Sequence, residues 1–128
     1  EMRENFNRQI DPLRLAIFKS QRSLDEIVTM ASIIEKEAYK YEDRELISGV
    51  LWKRLDKGVR LQVDVATETY KQVGLPAKPI ANSGLEAITS ALEPVESPYW
   101  FYLADKNGIT HYAVTYKDHL ENIVKYLK

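Results

Sequence analysis

The sequence predicts an α+β fold, mainly helical, with one small antiparallel hairpin and one long irregular loop. Two observations support this class. Apolar residues recur at helical spacing through most of the chain, and two short runs rich in β-branched and aromatic residues flank a polar turn. Of the 128 residues, 45% are hydrophobic and 29% are charged, so we expect residues 1–128 to form a single packed domain.

Amphipathic helices are predicted throughout the N-terminal half. Ser23 and Glu26 form a capping box, and the apolar residues that follow share one face of a helix. A second helix is predicted over residues 43–57, because its apolar positions have helical spacing and a glycine supplies the stop. Residues 2–20 are predicted to form a helix in two pieces, since Pro12 should start or kink a helix there.

The middle of the chain has the composition of a loop. Prolines, glycines and short polar groups are spread over residues 60–84, and a long loop in a small domain is often functional. A short helix is predicted over residues 84–92. Residues 99–104 and 109–114 are predicted to pair as a hairpin, and residues 116–127 to form the last helix.

Composition and charge argue against several functional classes. The formal net charge of −1 is spread over 18 basic and 19 acidic residues, so we expect no nucleic-acid partner. No run approaches the ~18 consecutive apolar residues of a membrane-spanning helix. The absence of cysteine and the two unclustered histidines predict no metal site. Without a glycine-rich phosphate loop, nucleotide chemistry has no support, and we expect no cofactor.

Two carboxylates on the best-defined helix are candidates for acid/base chemistry. On a helical wheel, Glu35 and Glu37 fall at opposite rims of the apolar stripe, about 80° to either side of its centre. Glu37 stacks over Ile33 and Ile34, an apolar setting that would raise its pKa, whereas Glu35 has a smaller apolar wall. The wheel therefore favours Glu37 only weakly. Solvated surface acids paired with lysines are the more common arrangement for helix carboxylates.

A series of short segments follows the order found in one known family. These segments are residues 31–37, 49–50, 54–55, 61–62, 69–71, 74–76, 79–82, 91–92 and 99–105, together with Arg44, Gly58, Asp64, Gly84, Pro94 and His119. Together they resemble the MltG (YceG-like) family of endolytic murein transglycosylases, from about residue 29 to the C-terminus. Any one segment alone would be weak evidence, but their shared order is specific.

The resemblance implies both a reaction and a catalytic residue. In this family the second glutamate of the E-K-E segment is the catalytic acid, which corresponds to Glu37. The implied reaction cleaves the β-1,4 bond between N-acetylmuramic acid and N-acetylglucosamine, leaves 1,6-anhydro ends and limits the length of nascent strands. Because the sugar's own 6-hydroxyl is the nucleophile, one carboxylate can act first as acid and then as base.

The resemblance also predicts the side chains that bind the saccharide. We expect Gln62, Asp64, Tyr70 and Asn82, together with Glu35, to offer amide, carboxylate and phenol groups to sugar hydroxyl and N-acetyl groups. For the loop residues, a hydrogen bond that stabilises the loop is an equally open role. The consecutive aromatic residues 99–102 could stack on sugars, although strand alternation would bury half of them.

Members of this family are anchored in the cytoplasmic membrane and carry an upstream domain, with the catalytic domain in the periplasm or outside the cell. We therefore expect this chain to be the catalytic domain alone, a fragment without the N-terminal anchor and the upstream domain. Its expected partners are peptidoglycan glycan strands and, in addition, peptidoglycan synthases.

The sequence departs from the family pattern at two places. Only five residues, 65–69, separate Asp64 from Tyr70, whereas family members usually have a longer segment. We expect either a truncated loop or two segments joined where residues are missing, with the junction near Thr67. Many members also place a histidine one position before His111, which on a strand would point to the other face.

Two other functions remain open at this stage. The first is a non-catalytic module of the same fold that binds peptidoglycan or a synthase and has lost turnover through the shortened loop. The second follows an older assignment of this family as an aminodeoxychorismate lyase, which would need pyridoxal phosphate. No phosphate-binding glycine loop accompanies any lysine, so this second interpretation is disfavoured.

Overall fold

The computed structural model describes residues 13–80 and 83–128, and within them the predicted α+β class is confirmed. Two short 3₁₀ helices, Tyr41–Asp43 and Thr67–Tyr70, lie between the main elements. The main elements are α1 (Arg14–Ser20), α2 (Leu24–Glu37), α3 (Arg44–Asp56), α4 (Leu85–Leu92), β1 (Phe101–Ala104), β2 (Thr110–Ala113) and α5 (Tyr116–Leu127). Helix α1 corresponds to the second piece of the helix predicted over residues 2–20. Pro12 and the first piece lie outside the described residues.

Helix α2 lies at the centre of the fold. Ser23 Oγ accepts a hydrogen bond from the Glu26 amide, and the Glu26 carboxylate accepts one from the Ser23 amide, which confirms the predicted capping box. The apolar face of α2 is completely buried, and removing each large side chain from water stabilises the fold by roughly 1.5–3 kcal/mol. These fully buried side chains include Ile27, Met30, Ile33 and Ile34.

Helices α3 and α4 cover two sides of α2. Both contribute fully buried side chains to the same core, among them Ile47 and Leu51 of α3 and Ile88 of α4. The indole Nε1 of Trp52 donates to the carbonyl oxygen of Ala91 at 2.9 Å, which ties α3 to the end of α4.

Two buried hydroxyl groups hold the loop after α3, one within the loop and one between the loop and α2. Thr69 Oγ1 accepts from the Val63 amide at 3.0 Å and donates to the Ala66 carbonyl at 2.6 Å. Ser32 Oγ, on α2, accepts from the Ile80 amide at 3.0 Å. Residues 65–70 form a tight turn that includes the 3₁₀ helix Thr67–Tyr70, an element that the loop prediction did not anticipate.

The C-terminal third forms the predicted hairpin and closing helix. Strands β1 and β2 are antiparallel, and Tyr102 lies directly opposite Tyr112. Helix α5 begins after Thr115, whose hydroxyl accepts from the Asp118 amide, and it packs against both strands. Among the described residues, no helix combines the length and apolarity needed to cross a bilayer.

Helix α3 packs closely against the segment after α4, and the point of contact is Gly49. A β-carbon at this position would overlap the backbone carbonyl of Val95, which is itself held because the Val95 amide donates to the Glu45 carbonyl. We predict that Gly49→Ala lowers the free energy of unfolding by ~2–3 kcal/mol in urea titrations followed by circular dichroism. Gly84→Ala is the control, because no atom of the described residues lies within 4 Å of a β-carbon there. Equal stability of the two variants would contradict this account.

Candidate active site

A cavity of about 400 Å³ opens between the C-terminal end of α2, residues 61–70, strand β1 and helix α5. It combines acidic, basic and aromatic side chains, so it can offer both hydrogen bonds and flat apolar surfaces to a ligand. Its polar lining residues are Glu37, Arg54, Gln62, Asp64, Tyr70, Tyr102 and His119, and the aromatic residues Tyr39, Trp100 and Phe101 also line it.

Glu37 is the last residue of α2 and presents its carboxyl group to this cavity. The Tyr102 hydroxyl donates a hydrogen bond to Glu37 Oε1 at 2.6 Å. Burial raises the pKa of Glu37 above its ordinary value, the Tyr102 bond lowers it, and the charge of Asp64 raises it again. The C-terminal end of a helix also disfavours a carboxylate. The net result is a carboxylic acid that holds its proton more tightly than an exposed glutamate.

Asp64 and Tyr70 form a hydrogen-bonded pair in the same cavity. The Tyr70 hydroxyl donates to Asp64 Oδ1 at 2.5 Å, and the loop that Thr69 closes holds the two residues together. Burial raises the pKa of Tyr70 to about 12, and its hydrogen bond to Asp64 adds to the shift. Tyr70 is therefore a neutral phenol at neutral pH and fixes one oxygen of the Asp64 carboxylate.

Arg54 forms a buried basic wall on the side of α3. Its side chain is 5% exposed and makes four hydrogen bonds, all to neutral oxygen atoms. Two of these go to the Arg60 carbonyl, one to the Trp100 carbonyl and one to Gln62 Oε1 at 3.2 Å. Gln62 has a φ of 54°, a left-handed conformation that costs roughly 1 kcal/mol or more in a residue with a side chain. Arg54 thus helps to hold a strained residue at the edge of the cavity.

Helix α5 closes the opposite wall with an imidazole. The His119 ring stacks on Phe101 with ring centroids 5.0 Å apart, and its Nδ1 atom is buried without a hydrogen-bond partner among the described residues. Burial lowers the pKa of His119, and the positive charge of Arg54 lowers it further. His119 is therefore a neutral ring that can stack or exchange one hydrogen bond with a ligand.

The cavity gathers most of the residues that the sequence predicted for the site. Gln62, Asp64 and Tyr70 line it together with Glu37. Glu35 does not: its carboxylate accepts a hydrogen bond from the Gly84 amide at 3.2 Å, at the start of α4. An anion at a helix N-terminus is stabilising, which gives Glu35 a structural role. Asn82 lies outside the described residues.

His111 lies away from the cavity. Its Nε2 atom is 2.8 Å from Asp105 Oδ2, and its ring is stacked on Tyr126. Within residues 13–80 and 83–128, no group of three or more histidine, aspartate or glutamate side chains is arranged to hold a metal ion. Arg54 was not predicted as a site residue, and Tyr102 was predicted only as one of the aromatic residues 99–102 that could stack on sugars. The sequence signals available were the aromatic run 99–102 and the arginine within segment 54–55.

The chain belongs to the YceG-like family. The family model matches residues 1–68 and 67–125, so the likeness extends well before residue 29, where the resemblance of individual segments begins. A crystal structure at 2.6 Å of a yceG-like protein from Listeria monocytogenes is 33% identical, with a TM-score of 0.87 over 92% of this chain and 46% of that one.

Two curated relatives carry an enzyme name. The chain is 31% identical to an endolytic murein transglycosylase of Bacillus subtilis, over 94% of this chain and 40% of that protein. It is 30% identical to an endolytic murein transglycosylase of Streptococcus pneumoniae, over 99% of this chain and 28% of that protein. The chain therefore spans less than half the length of each of these relatives.

The comparisons also bear on the short connection between Asp64 and Tyr70. The two family matches meet at residues 67–68, the junction expected from the sequence. The alignment with the Bacillus subtilis protein covers 143 positions, which exceeds the 128 residues of this chain by 15. The alignment thus includes positions of the relative that have no counterpart here, and the two family matches meet near Thr67, where the sequence predicts either a truncated loop or missing residues.

The raised pKa of Glu37 predicts how stability should vary with pH. A raised folded-state pKa means that the stability tied to this proton is fully present below the ordinary value of 4.5 and is lost as pH rises through the folded value. Glu37→Gln cannot ionise and escapes this loss. We expect the variant to be more stable than the wild type near neutral pH, by on the order of 1 kcal/mol, with the difference vanishing at pH ~4.

Thermal melts across this pH range check the prediction. Glu35→Gln removes an anion from the start of α4 and should bring no gain near neutral pH. A Glu37→Gln variant that is less stable than the wild type at every pH would show that the carboxyl group is not strained by burial.

Proposed function

We propose that this chain is a lytic transglycosylase domain that cleaves peptidoglycan strands with Glu37 as its acid/base residue. The observation that carries the proposal is the placement of Glu37, a carboxyl group with a raised pKa at the wall of a cavity lined by hydrogen-bonding and aromatic side chains. Membership of the YceG-like family and the enzyme name of two relatives support the same reaction class.

The proposed reaction needs one group that exchanges a proton twice. Glu37 first gives its proton to the glycosidic oxygen as the bond from that oxygen to C1 of N-acetylmuramic acid breaks. The resulting carboxylate then takes the proton of the 6-hydroxyl of the same sugar while this oxygen bonds to C1. The products are a 1,6-anhydro end and a free 4-hydroxyl on N-acetylglucosamine. A pKa above the ordinary glutamate value suits the first step, because more of the acid is protonated near neutral pH.

The remaining cavity residues supply binding groups. We assign Gln62, Asp64 and Tyr70 to the saccharide, because all three line the cavity beside Glu37. Trp100 and Phe101 add apolar faces of the kind that sugars stack on. Asn82 stays in the proposal on the strength of the family resemblance alone. We withdraw Glu35 from it, because the hydrogen bond from Gly84 accounts for its carboxylate.

The role of the whole protein is a wider part of the same proposal. Cleavage within nascent strands would limit glycan length, from a membrane-anchored protein whose catalytic part lies on the outer face of the cytoplasmic membrane, near peptidoglycan synthases. The name endolytic murein transglycosylase in two longer relatives supports cleavage within strands, and the membrane anchor and the synthases rest on the family resemblance alone.

One observation favours a second candidate reaction, hydrolysis of the same bond. Glycosidases that use water pair two carboxyl groups, one as acid and one as base or nucleophile. Asp64 lines the same cavity as Glu37, and its charge acts on the pKa of Glu37. A water molecule activated by Asp64 would yield reducing ends in place of anhydro ends.

Substitution of the two helix glutamates tests the catalytic assignment. Glu37→Gln keeps the shape and the Tyr102 bond but cannot deliver a proton, so we expect the release of muropeptides from purified sacculi to slow ~10²–10⁴-fold. Glu35→Gln, on the other side of the same helix, should retain most activity. An active Glu37→Gln with an inactive Glu35→Gln would move the acid/base role to Glu35. A wild-type domain that binds strands without cutting them would instead be the non-catalytic module.

Mass spectrometry of the digested strands separates transglycosylation from hydrolysis. We expect 1,6-anhydro ends from the wild type and from Asp64→Asn, with a smaller loss of rate than in Glu37→Gln, since Asp64 would only bind substrate. Products heavier by one water, lost in Asp64→Asn, would instead identify a hydrolase that uses Asp64 as its second carboxylate.

A further inference from the structure

Tyr102 is the side chain in direct contact with Glu37, and neither motif nor helical wheel assigned it a function. Its hydroxyl lies 2.6 Å from Glu37 Oε1, a short hydrogen bond that joins strand β1 to the end of α2. The two residues are 65 positions apart in the chain, so only the docking of the hairpin brings them together.

We propose that Tyr102 is a positioning residue for the acid/base group: its hydroxyl occupies Glu37 Oε1, so that the exchangeable proton is carried and delivered by Oε2. This inference rests on the proposed role of Glu37. A phenol has a single proton to donate, and among the described residues the Tyr102 hydroxyl donates it to Glu37. With Oε1 engaged, the second oxygen of the carboxyl group is the one left for a ligand in the cavity.

The hairpin makes Tyr102 a rigid donor. Its ring packs against the core formed by α2, α3 and α4, and its cross-strand partner Tyr112 is anchored by a hydrogen bond to Asp43 at 2.7 Å. A slip of one residue in the strand register would turn the Tyr102 ring to the opposite face of the hairpin. The direction of the bond to Glu37 is therefore set by the pairing of β1 with β2.

The bond also favours the state of Glu37 that forms during the reaction. Once Glu37 has given up its proton, the Tyr102 bond becomes charge-assisted and stronger, and this bond opposes the effects of burial and of Asp64 on the pKa of Glu37. The pKa of Tyr102 itself is raised well above its ordinary value, chiefly by burial and then by Glu37, so the phenol keeps its proton and remains a donor. The titratable and charged groups around this pair are Asp64 and Tyr70 from the loop, Arg54 from α3, Tyr112 from β2 and His119 from α5.

Removing the hydroxyl group of Tyr102, with removal of a distant tyrosine hydroxyl as control, tests the role. In Tyr102→Phe, the pKa of Glu37, followed by carbon NMR of labelled glutamate and assigned with Glu37→Gln, should move upward. The alkaline limb of the kcat/KM profile should move to higher pH with it, because the acid stays protonated longer. We expect kcat to fall on the order of 10-fold while KM changes little. Tyr126→Phe is the control, since the Tyr126 ring stacks on His111 away from the cavity, and neither the titration nor the profile should move.

A second variant covers the case in which Tyr102→Phe folds poorly. Fluorotyrosine at position 102 keeps the shape but is a stronger donor, so it should move the pKa of Glu37 downward, opposite to phenylalanine. An unmoved Glu37 titration in both variants, or an equal shift in Tyr126→Phe, would overturn the inference. If the wild type cuts no strands but the pKa of Glu37 shifts in the variants as described, the proposed function is wrong. The positioning of Glu37 by Tyr102 is then still supported.

Discussion

Burial of one face of helix α2 is the constraint on which the rest of the structure depends. The isoleucines of this face have no exposed surface, and α3, α4 and the 60–70 loop are all packed around them. Because the close-packed interior prevents α2 from rotating about its axis, the two edges of its buried face contact different elements. One rim meets the start of α4 and the other meets strand β1. The chemical surroundings of the helix carboxylates follow from this assignment.

The surroundings of the cavity at the end of α2 act in opposite directions on the pKa of Glu37. Burial and a neighbouring aspartate favour the protonated form of Glu37, whereas the phenol of Tyr102 favours the carboxylate. The net effect is a pKa above the ordinary glutamate value, which suits the acid/base role proposed for Glu37. The buried Arg54 and the neutral His119 are polar walls of the same cavity. The pKa of Glu37 depends mainly on burial, Tyr102 and Asp64.

The short connection between Asp64 and Tyr70 is held in shape by one buried threonine. Thr69 is almost completely buried, and its hydroxyl bonds the backbone at both ends of a tight turn. This closure keeps Asp64 within hydrogen-bond distance of Tyr70. The Thr69 hydroxyl thus pairs backbone groups that would otherwise be buried without a hydrogen-bond partner.

The sequence by itself determined the helices, the hairpin and their approximate ends, because caps, glycine stops and apolar periodicity act between residues close in the chain. It also indicated the family and the glutamate pair. Helical spacing favoured Glu37 only weakly over Glu35, because the two lie about 80° to either side of the buried stripe on the wheel, and the choice of Glu37 came from the family resemblance. Only the tertiary structure decided that α4 takes the rim of Glu35 and that Tyr102 and the cavity take the rim of Glu37. The reason is that docking of distant elements depends on shape complementarity across the whole core, which no local pattern encodes.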